Sequence, residues 1–448
     1  MENLLRPISI SLSPNVEPDD VKLASSLLFK KRVEVSPRQA CLGETSTTPA
    51  LELEGKFRDY LGVKAAYSFN SGRSALMAVL QGLELEKGSE VLLQAFTCNA
   101  AANPIIWSGL QPVYVDCDQN YNLSVEDLKK KITPKSRVVM IQHTFGLPAD
   151  IDAIQEVCNE HNLILIEDCA HSLGAIYKGK PIGTFGEAAF FSFSRDKIIS
   201  CVYGGVAVTN NEALAKKIAT FQEKAGYPSD AWTNQQLLHP ILMDKIILPT
   251  YSFFGRYLLV LFQWLNVLSK AIHWKEKRGM CPNYFPKRLP DKLALLAINQ
   301  LKKLERFNDY RRELAKFYRQ ELSDCVGPTH AEKELRGSDP RKNSGFVLPN
   351  ELPDTKPTYL RFAIRHNDAA KIIKKAWRKN LLLGDWYRTP VDPFDTLPDT
   401  VNYKKGSCPN AESFAGKMIN LPTHINIRET EAKKIIEFIK KLPSQDID

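Results

Sequence analysis

Short apolar runs alternate with longer segments of helical spacing through the first half of the chain. Residues 63–69, 90–94, 111–116, 137–142 and 163–167 read as strands. Between them, residues 75–85, 99–107, 124–131 and 150–161 read as helices, the third opened by Ser124 as a cap. Ahead of this series, Leu53, Phe57 and Tyr60 recur at helical spacing over 51–60. Leu163, Ile164, Leu165 and Ile166 are apolar without interruption. A strand of that kind buries both faces, so the pattern predicts a mostly parallel sheet with helices on either side.

The most apolar run, from Ala188 to Phe193, is aromatic and reads as a buried strand. It ends in the polar turn Ser194-Arg195-Asp196, presents Lys197, and returns through Gly204-Gly205 to a further strand ending at Thr209. These segments define a large α/β domain over 51–236. Residues 1–50 read as an N-terminal arm with little periodicity, and 281–448 as a bridging helix followed by a smaller C-terminal α+β domain. In that last region a long helix is predicted over 292–322, a charged Pro/Gly-rich excursion over 332–354, a strand over 358–365, a helix over 369–380 and a closing amphipathic helix over 429–442.

Residues 237–280 fit neither domain. On a helix, Arg256, Gln263, Asn266 and Lys270 form one narrow polar stripe on an apolar cylinder, and Lys275, Lys277 and Arg278 follow. A membrane-surface helix through 250–275 fits this make-up. A buried helix at a subunit interface fits it too, and is the more ordinary explanation of an apolar cylinder. The charge-free stretch 257–269 is too short to span a bilayer.

Composition narrows the possibilities. The 448 residues are 44% hydrophobic and 25% charged, as in ordinary soluble proteins, and a net charge of +9 suits an anionic ligand or surface. No clustered basic patch supports nucleic-acid binding. Nine cysteines are scattered without metal-ligand or disulfide spacing, so reduced thiols and a cytoplasmic setting are expected, with no metal site. The N-terminus lacks the pattern of a signal peptide.

Three features combine chemically. Ser71-Gly72-Arg73-Ser74 lies between a strand and a helix, where free backbone amides make an anion site. Asp168 follows the most continuously apolar of the parallel strands, as a ligand group or as a helix cap. Lys197 is delivered from the end of another strand, where burial makes an amine nucleophilic. Together these are the groups that pyridoxal phosphate requires: an amine to join it covalently, a carboxylate to keep its ring nitrogen protonated, and amides for its phosphate.

The chain also resembles the DegT/StrS-type sugar aminotransferases. The blocks that carry the resemblance are FNSGRSALMAVL, SGLQPVYVDCDQNYNLSVEDL, HTFGLPADIDAI, IEDCAHSLGAIYKGKPIGTFGEAAFFSFSRDK, QLKKLERFNDYRRELAKFY and CPNAESFAGKMINLPTH. The resemblance implies the type I fold of pyridoxal-phosphate-dependent transferases. It also implies amination of a nucleotide-linked keto sugar with an amino acid donor, glutamate, in amino-sugar or surface-polysaccharide synthesis, by a homodimer whose sites are shared. By position it implies that Lys197 holds the cofactor and shuttles a proton. Asp168 contacts the ring nitrogen, His171 lies near the phenolic oxygen, and Ser192 with the amides after Gly72, those of Arg73 and Ser74, binds phosphate. Arg288, Trp386 and Tyr387 are implied on the sugar side, and His143 and Gly146 lie in a nearby loop without a stated role.

Departures cluster around phosphate and substrate. Arg73 replaces the family's Thr, and Cys98 stands where an aromatic ring stacks on the cofactor. Phe96 reaches the same side only if that segment is extended. Val202-Tyr203-Gly204-Gly205 replaces Gly-Glu-Gly-Gly, with Tyr203 a candidate for the Glu. Pro286-Lys287-Arg288 replaces Asn-Tyr-Arg. These departures keep open a second function, a non-catalytic cofactor-binding protein with a regulatory or scaffold role in a polysaccharide system. A third, amination of a lipid-linked sugar, follows if the apolar segment meets a membrane. Relatives that dehydrate sugars have His in place of the lysine, and Lys197 argues against that reaction.

Overall fold

The computed structural model describes residues 6–30, 48–323 and 345–442. Seven strands form the central sheet: β1 (Ala65–Phe69), β2 (Glu90–Gln94), β3 (Gln111–Val115), β4 (Ser136–Gln142), β5 (Ile164–Asp168), β6 (Ala188–Ser192) and β7 (Gly205–Thr209). Their order is β1-β7-β6-β5-β4-β2-β3. Only β7 runs against its neighbours; the other adjacent pairs are parallel. The sheet is therefore mixed and mostly parallel, as the unbroken apolar strands predict.

Alternate residues of the inner strands divide between two cores. Phe191, Phe193, Val206 and Val208 join one cluster with Phe57 and Leu53. Phe190, Ala188 and Ala207 join the other with Leu76 and Leu93. This is the two-residue period of a strand covered on both faces. Burying one such phenylalanine stabilises the fold by about 2–3 kcal/mol. The expected helices form at Gly72–Gly82, Asn99–Trp107, Val125–Lys131 and Ile151–Glu160. Ser124 caps the third by accepting the Asp127 N–H.

Beyond the sheet, Phe362–Arg365 pairs antiparallel with Met418–Leu421. The helices Leu304–Leu322, Ala369–Arg378 and Glu429–Lys440 close over this pair to form a third core.

Four expectations need correction. The N-terminal segment is not featureless. Pro18–Leu28 is a helix with Pro at its start and Asp19 and Asp20 in its first turn, buried through Val21, Ala24 and Leu27. Ile8–Ser9 pairs with Leu381–Leu382. The helix predicted over 292–322 is two, Asp291–Leu301 and Leu304–Leu322. The strand predicted over 358–365 begins at Phe362, because Tyr359 has a left-handed φ of 47°. The apolar cylinder ends early: its helix is Arg256–Trp264, and Asn266 turns left-handed with φ of 57°. The polar stripe through Lys270 therefore does not lie on one helix. Most of the predicted 332–354 excursion lies outside the described residues.

Candidate active site

Parallel strands end side by side, and here that brings three side chains together. Gln142 of β4, Asp168 of β5 and Phe190 of β6 stand opposite one another in the ladder. All three line a cavity of about 300 Å³. Asp168 caps no helix. Its Oδ1 accepts the Ala170 N–H at 2.9 Å, within a turn. Burial pushes its pKa up, while the Ala170 N–H and the Lys197 charge oppose that rise.

Lys197 lines the same cavity, in the connection from β6 to β7. Burial draws its ammonium pKa down to about 8, the Asp168 charge acting against the shift. A sizeable fraction of the amine is therefore neutral near pH 7 to 8. The loop is held from a distance. Asn15 donates its amide to the carbonyls of Lys197 at 2.5 Å and Ile198 at 2.9 Å, and Asn15 Oδ1 accepts from the buried Arg311 at 2.6 Å.

The anion turn opens the helix Gly72–Gly82 with Ser71 as its cap. Gly72 and Arg73 line the cavity together with Ser192. A Cβ on Gly72 would sit 2.9 Å from the Ser192 Cβ, so only glycine leaves room between helix start and strand end. Ser74 stands apart from the cavity wall: its N–H donates to Ser71 Oγ at 3.1 Å and its hydroxyl to Asn70 Oδ1 at 2.7 Å.

Aromatic rings close another wall. Trp386 stacks on His171 at 6.1 Å between centroids, and His171 stacks on Phe145 at 6.2 Å. Arg361 lies 3.4 Å from the Trp386 centroid and Lys197 Nζ 5.7 Å. The Phe145 N–H donates to His171 Nδ1, so the neutral ring carries its hydrogen on Nε2. Burial and the Lys197 and Arg361 charges hold the His171 pKa well below its ordinary value. Tyr387 and Asp392 complete the wall. Burial pushes the Asp392 carboxyl up to about 6.

The last wall comes from the apolar insertion. Ala271 and Ile272 line the cavity, and three side chains fasten this strap. Tyr203 donates to the Lys270 carbonyl at 2.5 Å, Arg195 to the Ser269 carbonyl at 2.8 Å, and Arg73 to the Ala271 carbonyl at 2.9 Å. The Arg73 guanidinium also pairs with the fully buried Glu276 at 2.8 Å, as an ion pair without aligned hydrogen-bond geometry.

The cavity thus gathers Lys197, Asp168, His171, Gly72, Arg73, Ser192, Trp386 and Tyr387. Arg288 lies elsewhere, its guanidinium 4.9 Å from the Tyr227 ring. Phe96 has a left-handed φ of 67° and packs in the core against Tyr121 and Tyr387, so Cys98 and not Phe96 lines the cavity. His143 lies 3.5 Å from the buried carboxylate of Glu167, away from the cavity. Asn15, Gln142, Arg361, Asp392 and the strap are absent from the sequence-derived set. A buried Asn or Arg far from any motif carries no local signal, and each acts only through long-range contact.

A phosphorylated pyridine aldehyde fits these residues. The depressed amine and a buried carboxylate share a 300 Å³ cavity, and Gly72 leaves a cradle that a side chain would fill.

The family model described as the DegT/DnrJ/EryC1/StrS aminotransferase family matches residues 42–255 and 269–440. GDP-perosamine synthase of Vibrio cholerae is 26% identical over 390 residues, spanning 86% of this chain and 89% of the relative. An uncharacterized protein of Methanocaldococcus jannaschii, MJ1066, is 28% identical over 403 residues, spanning 88% and 90%. Among solved structures, PseC of Helicobacter pylori, an aminotransferase involved in the biosynthesis of pseudoaminic acid, has a TM-score of 0.71 at 22% identity, covering 97% of this chain and 99% of that one. DesV of S. venezuelae has a TM-score of 0.68 at 23% identity, covering 96% and 95%. The two solved structures share the fold. With the family model matched along nearly all of the sequence and the strand ends arranged as described, this chain belongs to the DegT/DnrJ/EryC1/StrS aminotransferase family.

Proposed function

We propose that the chain transfers an amino group from glutamate to the keto carbon of a nucleotide-linked sugar, with pyridoxal phosphate held at the ends of β5 and β6. The observation that carries this reading is the Lys197 amine, drawn down to about 8 by burial in the cavity that also holds Asp168. When bound, pyridoxal phosphate supplies a carbonyl that amines condense with and a ring that accepts electrons. Solved PLP and PMP forms of Spr1654 of Streptococcus pneumoniae, which has the same fold, support that choice of group.

This chain's residues divide the remaining work. Lys197 would anchor the group covalently and, as a neutral amine, would take a proton from the donor carbon in one half-reaction and give one to the acceptor carbon in the other. Asp168, buried and acceptor-only when ionised, is the partner for a protonated ring nitrogen. His171 offers its Nε2–H as a donor without carrying charge. The Gly72 and Arg73 amides and the Ser192 hydroxyl are the phosphate contacts. Trp386 and Tyr387 present apolar surface to a sugar, and Arg361, behind Trp386, holds that ring in place.

Donor and acceptor use one site in turn, so ping-pong kinetics follow. Arg288 lies outside its own chain's cavity, and we assign it to the site of a second copy in a homodimer. The cytoplasm is the proposed compartment, supported by seven free thiols among the described cysteines.

Glutamate added to the cofactor-loaded protein should bleach the cofactor absorbance and release 2-oxoglutarate. Keto-sugar nucleotides should then restore the absorbance. An absorbance that no amino donor discharges would establish the non-catalytic binder instead. Borohydride should fix the pyridoxyl group on the peptide containing Lys197, and label elsewhere would overturn the assignment.

A further inference from the structure

The insertion carries a surface that the active site does not use. Nine of the eighteen large hydrophobic side chains exposed among the described residues lie between Ile246 and Trp274. Every side chain of the helix Arg256–Trp264 is at least partly exposed. Leu259 and Phe262 turn inward to a small core with Met243, Ile247 and Leu268. Phe253, Phe254, Tyr257, Val260, Leu261 and Trp264 turn outward, Trp264 being 78% exposed. A patch of this kind is uncommon on a monomer without a partner. The family model skips residues 256–268, so the outer helix of this surface lies outside the matched segments.

Charge identifies the partner. From Lys245 to Lys275 the sequence holds Lys245, Arg256, Lys270 and Lys275 and no Asp or Glu. Lys245 is paired with Asp244, which also meets Arg6. Arg256 lies 4.8 Å from the Tyr257 ring and Lys275 5.9 Å from the Trp274 ring, placing cations beside exposed aromatics. A second copy docking by two-fold symmetry would bring these cations against themselves. An anionic bilayer neutralises them while its acyl boundary takes up the apolar side chains.

We propose that residues 246–275 form an interfacial membrane anchor selective for anionic lipid. It lies on the bilayer and does not cross it. The helix Asp230–Ile247 that leads into the anchor and the segment Tyr251–Trp264 within it are bent by 111°. The nine-residue outer helix is about 14 Å long against a hydrocarbon core of about 30 Å. The segment continues into the strap that walls the cavity, so anchor and active site share one piece of chain. The anchor does not depend on the transamination reading, since its test measures no turnover.

The test is flotation of the full chain with vesicles of phosphatidylcholine alone or mixed with phosphatidylglycerol. The mixed vesicles should carry roughly tenfold more protein, and salt should reverse the gain. The variant Phe254→Ser/Val260→Ser/Trp264→Ser removes only exposed side chains and should keep the melting temperature and cofactor loading while losing flotation. The proposal is overturned if the parent stays in the soluble fraction with both vesicles, or if the variant floats as well as the parent. It is also overturned if sedimentation shows a self-association that the variant loses and vesicles do not compete for; a second copy is then the occupant.

Discussion

Asn15 donates its side-chain amide to the main-chain carbonyl of Lys197 at 2.5 Å, across most of the large domain's sequence. The same side chain accepts from Arg311, whose guanidinium is buried and drawn down to about 9 by that burial. Asn15→Ala therefore loosens the lysine loop and strips a buried cation of an acceptor. A loss of about 2–4 kcal/mol in unfolding free energy is expected. The pH profile of cofactor attachment should shift as well, which a purely structural contact would leave in place. Asn15→Asp, which keeps an acceptor for Arg311 but no donor, should recover stability more than it recovers the pH profile.

Lys197 sets a pH dependence of its own. Its pKa of about 8 lies below the ordinary lysine value, so the nucleophilic neutral amine accumulates as pH rises through 8. Attachment of pyridoxal to the cofactor-free protein should speed up about tenfold per pH unit below pH 8 and level off above it. Stopped-flow absorbance between pH 6 and 10, these being roughly two units either side of that value, reads the profile directly. A profile still rising at the upper limit would contradict a buried lysine.

Glu276 is fully buried and compensates Arg73 at 2.8 Å. Glu276→Ala leaves that guanidinium unpaired beside the cavity and should cost about 3–5 kcal/mol. Replacing both, as Arg73→Met with Glu276→Leu, should cost clearly less. Urea unfolding of the two variants decides it, and equal losses would mean that the charge pairing is unimportant.

Trp386 packs between Arg361 and His171. Trp386→Ala removes the stacking surface and should raise the sugar-substrate KM about tenfold or more, a loss of about 1–2 kcal/mol. Trp386→Phe should recover most of it. Steady-state kinetics with a fixed glutamate concentration give the comparison. An unchanged KM would take Trp386 out of the substrate wall.

His424 ties the N-terminal strand to the small domain, its Nε2 sitting 2.7 Å from the Ser9 carbonyl. Burial draws its pKa down to about 3. The folded chain therefore binds fewer protons than the unfolded chain between pH 6.5, the ordinary value, and about 3. Stability should fall with acidification across that window, by about 1.4 kcal/mol per pH unit from this group. His424→Gln should flatten the slope measured by denaturant unfolding at pH 7 and at roughly pH 5.

Local patterning made the central sheet legible. β2, between Glu90 and Gln94, and the helix Asn99–Trp107 fall where the spacing predicts them, because a strand buried on both faces and a short, mostly buried helix each leave a mark within a few residues. Lys197, Asp168 and the Ser71–Gly72 turn were legible for a related reason, since strand ends and helix starts are chemical positions whatever the rest of the fold does. The helix Pro18–Leu28 also carried a signal, Pro at its start and acids in its first turn, but Ser and Pro around it read as a loop. The apolar cylinder misled at Asn266, where a left-handed residue ends the helix although no hydrophobic period changes.

The sequence by itself determined the α/β class, the family and the lysine–aspartate pair, because these rest on short-range periodicity and on motifs that act where they stand. Tertiary structure alone decided what surrounds them. Arg73 turns to Glu276, Phe96 is drawn into the core, and Asn15 grips the lysine loop. Each of these outcomes depends on which buried group finds a partner across the fold. Burial makes an unpaired charge or amide costly, so partners are selected by distance in space, which separation along the chain does not encode.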